Sequence, residues 1–513
     1  DPNSVNIPEY NTETGAVTDK YYQINYKNTE YGEGTEDSAD YKAKIPTDDV
    51  DITVKYNNSD KISRLENYSP ITDEINGIFI NNNISDSQYS VGGAIRNESS
   101  ISTINAGFVA NSNSSNTNAE GGAIYNSGTI NNLGGYFIKN SLSPITSGSA
   151  YNIGGAIANT GTIGNISADF ISNSIINSNG SATALGGAIY NTNYINSING
   201  DFVNNIISIK GDGFIAGGAI YNSSNWGSNN PTIGSINGNF IGNSLSNTGT
   251  ALGGAIYNAS GENTTATIGS ITGDFIKNSV TSGYARGGAI YNSGSIGDIM
   301  GNFIENSSIN QGGAIFNSNE GSYLSSHPVI NSITGNFIGN YSTGTGFSAG
   351  AAIFNRGIIT NGIKGSFISN YIESDYTAQG GAIFNSNYQS PAIINGIEGD
   401  FVNNKIISTN GYSAGGAIYN EKGKITDKIK GNFISNSIVG SGADGAAIAN
   451  VSGGQIADIE GNFVNNTIES SGSVKGGAIA NRDGSSIGNI TGDFYKNSVN
   501  ASSTVEGGAI SNS

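Results

Sequence analysis

Apolar residues in this chain come in short runs of four to six, separated by Gly, Asn and Ser, and they show no 3.6-residue spacing. Runs this short, rich in Ile, Val, Phe and Tyr, predict β-strands. Two of the runs recur in strict alternation. The first is Gly-Gly-Ala-Ile-x-Asn, with its leading glycine at Gly92, Gly121, Gly154, Gly186, Gly217, Gly253, Gly287, Gly312, Gly350, Gly380, Gly415, Gly445, Gly476 and Gly507. The second is Phe-x-x-Asn, which begins at Phe79, Phe108, Phe137, Phe170, Phe202, Phe240, Phe275, Phe303, Phe337, Phe367, Phe401, Phe433, Phe463 and Phe494. An apolar pair, usually Ile-x-x-Ile, lies between them, as at Ile233 with Ile236 and Ile296 with Ile299.

Fourteen copies of each motif give a mean period of about 32 residues, with single intervals from 25 to 38. One such unit cannot bury its own apolar face, whereas stacked units make a continuous core and pair every strand above and below. The expected fold is therefore all-β: a right-handed, single-stranded parallel β-helix with three strands per coil, in about 14 coils. The hand follows from the strong preference of parallel crossovers. Gly-Gly marks a corner where positive φ or a close backbone approach is needed.

Side chains alternate faces along a strand. In Ala-Ile-x-Asn, Ile and Asn share the inner face, which predicts a lengthwise ladder through Asn126, Asn159, Asn191, Asn222, Asn258, Asn292, Asn317, Asn355, Asn385 and Asn420. The alternative is that these are ordinary turn asparagines. Position x then faces outward. Eight successive units place an aromatic there: Tyr190, Tyr221, Tyr257, Tyr291, Phe316, Phe354, Phe384 and Tyr419. This predicts an exposed aromatic stripe, serving either cross-strand stacking or contact with a protomer, glycan or host surface. In Phe-Ile-x-Asn, strict alternation sends one apolar row outward as a lateral-packing surface, unless a corner or bulge at Phe brings both rows inside.

The repeats divide the chain into residues 1–70, a non-repetitive N-terminal cap or assembly arm, and residues 71–513, the β-helix. Within residues 1–60 there are 13 acidic and 5 basic side chains, so much of the net charge of −18 sits there. Charge at a solenoid end discourages unwanted strand pairing. Insertions follow the Ala-Ile-x-Asn strand at Ser223 to Pro231, Ala259 to Thr265, Ser318 to Pro328 and Ser386 to Pro391, and they hold the sole Trp (Trp226) and sole His (His327). Loops on one side of a solenoid commonly carry binding.

Composition narrows the function. With 22 basic residues scattered along the chain, nucleic acid and anionic membrane are poor partners. No run of 18 apolar residues predicts a membrane-spanning helix. Cys is absent, which fits an exported chain, and the sole Met is Met300, which fits either a removed leader or an excised fragment. The residue before Phe is Asp at Asp169, Asp201, Asp274, Asp400 and Asp493, yet Asn or Ser in most of the other copies, which reads as a turn role and not as an acid row. With one His and no Cys, zinc is not expected, and no cofactor or catalytic residue is assigned.

The alternating Gly-Gly-Ala-Ile and Phe-x-x-Asn motifs resemble the chlamydial polymorphic outer membrane proteins and similar autotransporter passengers, over about residues 77 to 512. That resemblance implies a right-handed β-helix passenger displayed on the bacterial cell surface, with the two motifs linked to host-cell adhesion. The expected function is thus a non-catalytic extracellular adhesin or structural passenger that meets a host protein or glycan. The alternative is a structural subunit self-associating head to tail, or laterally, into an extracellular filament; a polysaccharide-active enzyme is a distant third. The end of the chain at Ser513, in mid-unit, leads to the expectation that the natural protein continues or that a partner covers the last coil.

Overall fold

The computed structural model describes residues 61–513, apart from 87–88, 144–149, 179, 224–228, 320–326 and 389–390, together with the backbone of four strands nearer the N-terminus. Those four strands form two pairs: Ser4–Tyr10 with Val17–Asn25, and Tyr41–Ile45 antiparallel to Val50–Val54. The described residues contain no helix, and the repeats stack as a parallel β-solenoid of about 14 turns with about 31 residues per turn. The solenoid residues fall in two compact units, Asn25–Tyr284 and Ala285–Ser513.

The turns build four stacks of strands, the last of which is interrupted at Gln311, where only isolated bridges replace a strand. The first sheet is built from Ala-Ile-x-Asn: in the first unit Ile95–Asn97, Ile124–Asn126 and Ile157–Asn159 follow one another in exact parallel register, Ile95 beside Ile124 and Asn97 beside Asn126. The second holds both Ile-x-x-Ile and Phe-Ile, so these two expected strands are collinear. In the early turns they form one continuous strand, as in Ser100–Val109 and Thr129–Ile138. Two short strands complete the turn. One follows Phe-x-x-Asn, as in Ser174–Asn177, and the other precedes Gly-Gly, as in Ala182–Leu185. They escape a motif search because little in them repeats beyond one inward apolar or small residue.

Pairing begins earlier than the repeats indicate. Lys61–Ile62 lies beside Ile78–Phe79, and Leu65–Asn67 lies beside Ile95–Asn97, inside the stretch expected to be non-repetitive. Leu65-Glu66-Asn67 has the apolar-x-Asn pattern but lacks Gly-Gly-Ala before it.

Two backbone features shape every turn. The first glycine of all fourteen Gly-Gly or Gly-Ala pairs has φ between 58° and 74°. A Cβ added at Gly92 would meet the Ile95 carbonyl oxygen at 2.1 Å, so the left-handed corner and the tight closure both demand glycine. The residue between Ile and Asn of Phe-Ile-x-Asn is also left-handed in all fourteen turns, with φ from 49° (Ala110) to 64° (Gly242). This turn interrupts strict alternation. The Phe row is fully buried from Phe79 to Phe463, and most of the Ile/Val row beside it is buried as well. Val402, Ile434 and Val464 pack together, with Ile368 against them. The aliphatic row is therefore a buried ridge; Tyr495, its aromatic exception, is exposed. Each fully buried Phe contributes on the order of 1.5–3 kcal/mol of burial free energy.

Candidate functional site

The predicted asparagine ladder forms. In the first unit Asn67 donates to Asn97, and the chain continues through Asn126, Asn159, Asn191 and Asn222 to Asn258, each Nδ2 to the next Oδ1 at 2.7–2.8 Å. In the second unit Asn292, Asn317, Asn355, Asn385 and Asn420 repeat the pattern, which continues through Asn450 and Asn481. From Asn97 to Asn450 these residues are fully buried. A carbonyl two residues on takes the amide's remaining N–H, as Gly161 O does for Asn159 at 3.2 Å. Burying such an amide is tolerable because its donors and acceptor are met within the stack.

The Asn of Phe-x-x-Asn makes a second ladder. Asn140 Nδ2 donates to Asn173 Oδ1 at 3.0 Å and back to the Phe108 carbonyl at 2.9 Å, while its backbone N–H also reaches Asn173 Oδ1 at 3.0 Å. The left-handed residue just before it turns that N–H toward the next turn. Beside it the Phe rings stack face to face, 4.5–5.0 Å apart, from Phe79 to Phe275 in one unit and, at 4.7–4.8 Å, from Phe303 to Phe494 in the other.

The residue before Phe makes a third, shorter-reaching ladder. Asp169 Oδ1 accepts the backbone N–H of Asp201 at 2.9 Å, Asp201 that of Asn239 at 2.8 Å, and Asp400 that of Asn432 at 2.7 Å. Asn239 does the same for Asp274, and Asn462 for Asp493, both at 2.9 Å. Asp and Asn interchange here because the position needs one side-chain acceptor oxygen. Among the described residues, no group of three or more His, Cys, Asp or Glu is placed to hold a metal ion.

The aromatic stripe corrects the expectation of exposure. Tyr190, Tyr221, Tyr291, Phe316, Phe354, Phe384 and Tyr419 are buried, Tyr221 completely, and Tyr257 is partly buried. They do stack in register: Tyr190 on Tyr221 at 5.1 Å and Tyr221 on Tyr257 at 5.0 Å in the first unit, and Tyr291, Phe316, Phe354, Phe384 and Tyr419 at 4.6–5.4 Å in the second. The face is the predicted one, since x alternates with inward Ile and Asn. The surroundings differ, because the Gly-Gly corner is re-entrant and residues just before it close over the row. Phe214 meets Tyr257 edge-on at 6.0 Å, and Phe347 meets Phe384 at 5.8 Å. The Arg286 guanidinium lies 4.9 Å from the Phe316 ring and that of Arg356 lies 4.8 Å from Phe354.

Burial pushes the phenol ionisations of Tyr190, Tyr221, Tyr291 and Tyr419 above the ordinary tyrosine range. Where the row continues as Ala449 and Ala480, a polar group lies near Tyr419. Arg482 Nε donates to Asp444 Oδ2 at 2.7 Å, Arg482 Nη2 to Tyr412 Oη at 2.9 Å, and Tyr412 Oη to the same carboxylate oxygen at 2.6 Å. Sequence reasoning did not single out these residues; they come from non-repeating stretches and meet only across turns.

Of the insertions, Ala259 to Thr265 is closed by a bridge between Gly261 and Thr264, and His327 is exposed beside Pro328. Trp226 lies outside the described residues. Comparison with known protein families, curated proteins and solved structures finds no match.

Proposed function

We propose that this chain is a non-catalytic, surface-displayed adhesin or structural passenger, in which the solenoid is a rigid support and the loops after the Ala-Ile-x-Asn strands make the contacts. One observation carries the reading. The residues that define the repeat are occupied internally: both Asn motifs are ladders, Phe is a stack, Asp169, Asp201 and Asp400 before Phe accept backbone N–H groups, and the aromatic stripe is buried. What varies, and so can encode a ligand, is the set of insertions. The likeness of the paired motifs to chlamydial polymorphic outer membrane proteins favours the same class and extracellular display.

The test is binding of the purified chain to a glycan array and to cultured host cells, beside variants with Ser223–Pro231, Ser318–Pro328 or Ser386–Pro391 shortened to a turn. At least one shortening is expected to lower binding tenfold or more with the β-sheet circular dichroism unchanged. Undiminished binding by a variant lacking all three loops would defeat the loop assignment, and release of reducing ends from a polysaccharide panel would defeat the non-catalytic reading.

A further inference from the structure

On the outer face of the second sheet, in the second unit, six residues follow one another in direct register: Thr334, Lys364, Glu398, Lys430, Glu460 and Thr491. Their side chains alternate as neutral, plus, minus, plus, minus, neutral. At about 4.8 Å per turn the four charges span roughly 14 Å. Thr334, Lys364, Glu398, Lys430 and Thr491 are exposed, and Glu460 is partly so. Behind them the strands split, as in Ile358–Ile359 and Ile363–Lys364, so the charged row borders a groove of about 290 Å³ floored by Gly362 and Gly396. The corresponding row in the first unit carries Asn105, Gly134, Ser167, Asn199, Asn237 and Thr272, with no charge.

The order of charges has a specific symmetry. Turned end for end and laid against itself, the row pairs Lys364 with Glu460, Glu398 with Lys430, and Thr334 with Thr491. Laid parallel and level, every charge meets its like. A two-fold contact requires this kind of self-complementarity. The rest of the molecule opposes self-association, since the chain carries a net charge of −18. This strip is close to balanced, because Lys428 beside it adds a positive charge and Asp427 and Asp458 add negative ones. We propose that the strip is a lateral docking surface for a second copy of the same chain, with the two solenoids antiparallel.

Within one chain the same side chains already attract: Lys430 Nζ lies 3.7 Å from Glu398, and Lys428 Nζ lies 2.6 Å from Glu460. Exposed pairs of this kind are weak and exchange partners readily. A row of this width gives a small contact of the transient class, sensitive to salt.

Sedimentation velocity of the full chain, over a concentration series in low salt and again at about 0.3 M salt, reads the association. A dimer in low salt that weakens at least tenfold at high salt is expected. Lys430→Glu sets like charges opposite each other across the two-fold and should abolish the dimer. The pair Lys364→Glu with Glu460→Lys separates intrachain from interchain roles: it places like charges side by side within the chain, yet keeps every antiparallel pair opposite. It should dimerise as the parent does. A chain monomeric at all concentrations in low salt, a dimer indifferent to Lys430→Glu, or loss of the dimer in the double variant would each overturn the proposal. Circular dichroism confirms that these exposed substitutions leave the fold intact.

Discussion

The inner asparagine ladder and the outer aromatic row run through the same strands one residue apart, and they differ in what they tolerate. The ladder keeps Asn in every described turn from Asn67 to Asn512. The row beside it runs Arg96, Tyr125, Ala158, four tyrosines, three phenylalanines and Tyr419, and then Ala449, Ala480 and Ser511. An inner amide must offer a donor to one neighbour and an acceptor to the other, so one replacement strands two partners. An outer side chain must only fill space beneath the residues before Gly-Gly. Identity is required where hydrogen bonds are passed on, and volume suffices where surfaces merely meet.

Three experiments press on this contrast. The largest effect is expected from the interior. Phe240, stacked at 4.8 Å on both Phe202 and Phe275, should lose about 3–5 kcal/mol on replacement by Ala. Tyr257→Ala in the outer row should lose about 1–2 kcal/mol, because its site is partly open and can relax. Urea denaturation followed by circular dichroism measures both; equal losses would erase the distinction.

Next in size is Asn191→Ala. It removes the acceptor of Asn159 and the donor to Asn222, leaving buried polar atoms on both sides, for a loss of about 2–4 kcal/mol. Calorimetry should place its transition well below that of Tyr257→Ala, and a loss under about 1 kcal/mol would mean that the ladder is incidental.

The smallest effect concerns alkaline pH. In the unfolded chain tyrosines ionise near pH 10. In the groove burial raises that value for Tyr190, Tyr221, Tyr291 and Tyr419, so the neutral form is favoured by folding. Their contribution is full below about pH 10 and is lost as pH climbs through the folded values. The thermal midpoint should therefore fall above pH 10, with part of the phenolate absorbance appearing only as sheet signal disappears. Titration of all 26 tyrosines in the folded protein would show an open groove.

These contrasts also explain what could be read from the sequence. The ladder was legible because hydrogen-bond relay forces the same residue to recur, and Asn at a fixed offset from Gly-Gly-Ala-Ile is visible without coordinates. The recurrence of Phe was equally visible, but the inward stacking of its rings was not, because strict alternation left either apolar row free to face outward. The cover over the aromatic row was not. Phe214, Phe347 and Arg286 lie in stretches of changing length, and they meet the row across a corner that leaves no residue signature beyond Gly-Gly. The left-handed turn before the second ladder was hidden because Asn, Ala, Lys, Ser, Glu and Gly all occupy it. The alternating charges emerge only with register, since Lys364, Glu398, Lys430 and Glu460 are 34, 32 and 30 residues apart.

Every amide in the first ladder points the same way, Nδ2 toward the later turn and Oδ1 toward the earlier one. Each turn thus presents an identical plug on one side and an identical socket on the other. Excising or duplicating one whole turn leaves the joints on either side chemically unchanged, so the number of turns is a quantity that recombination can lengthen or shorten without redesigning any of them.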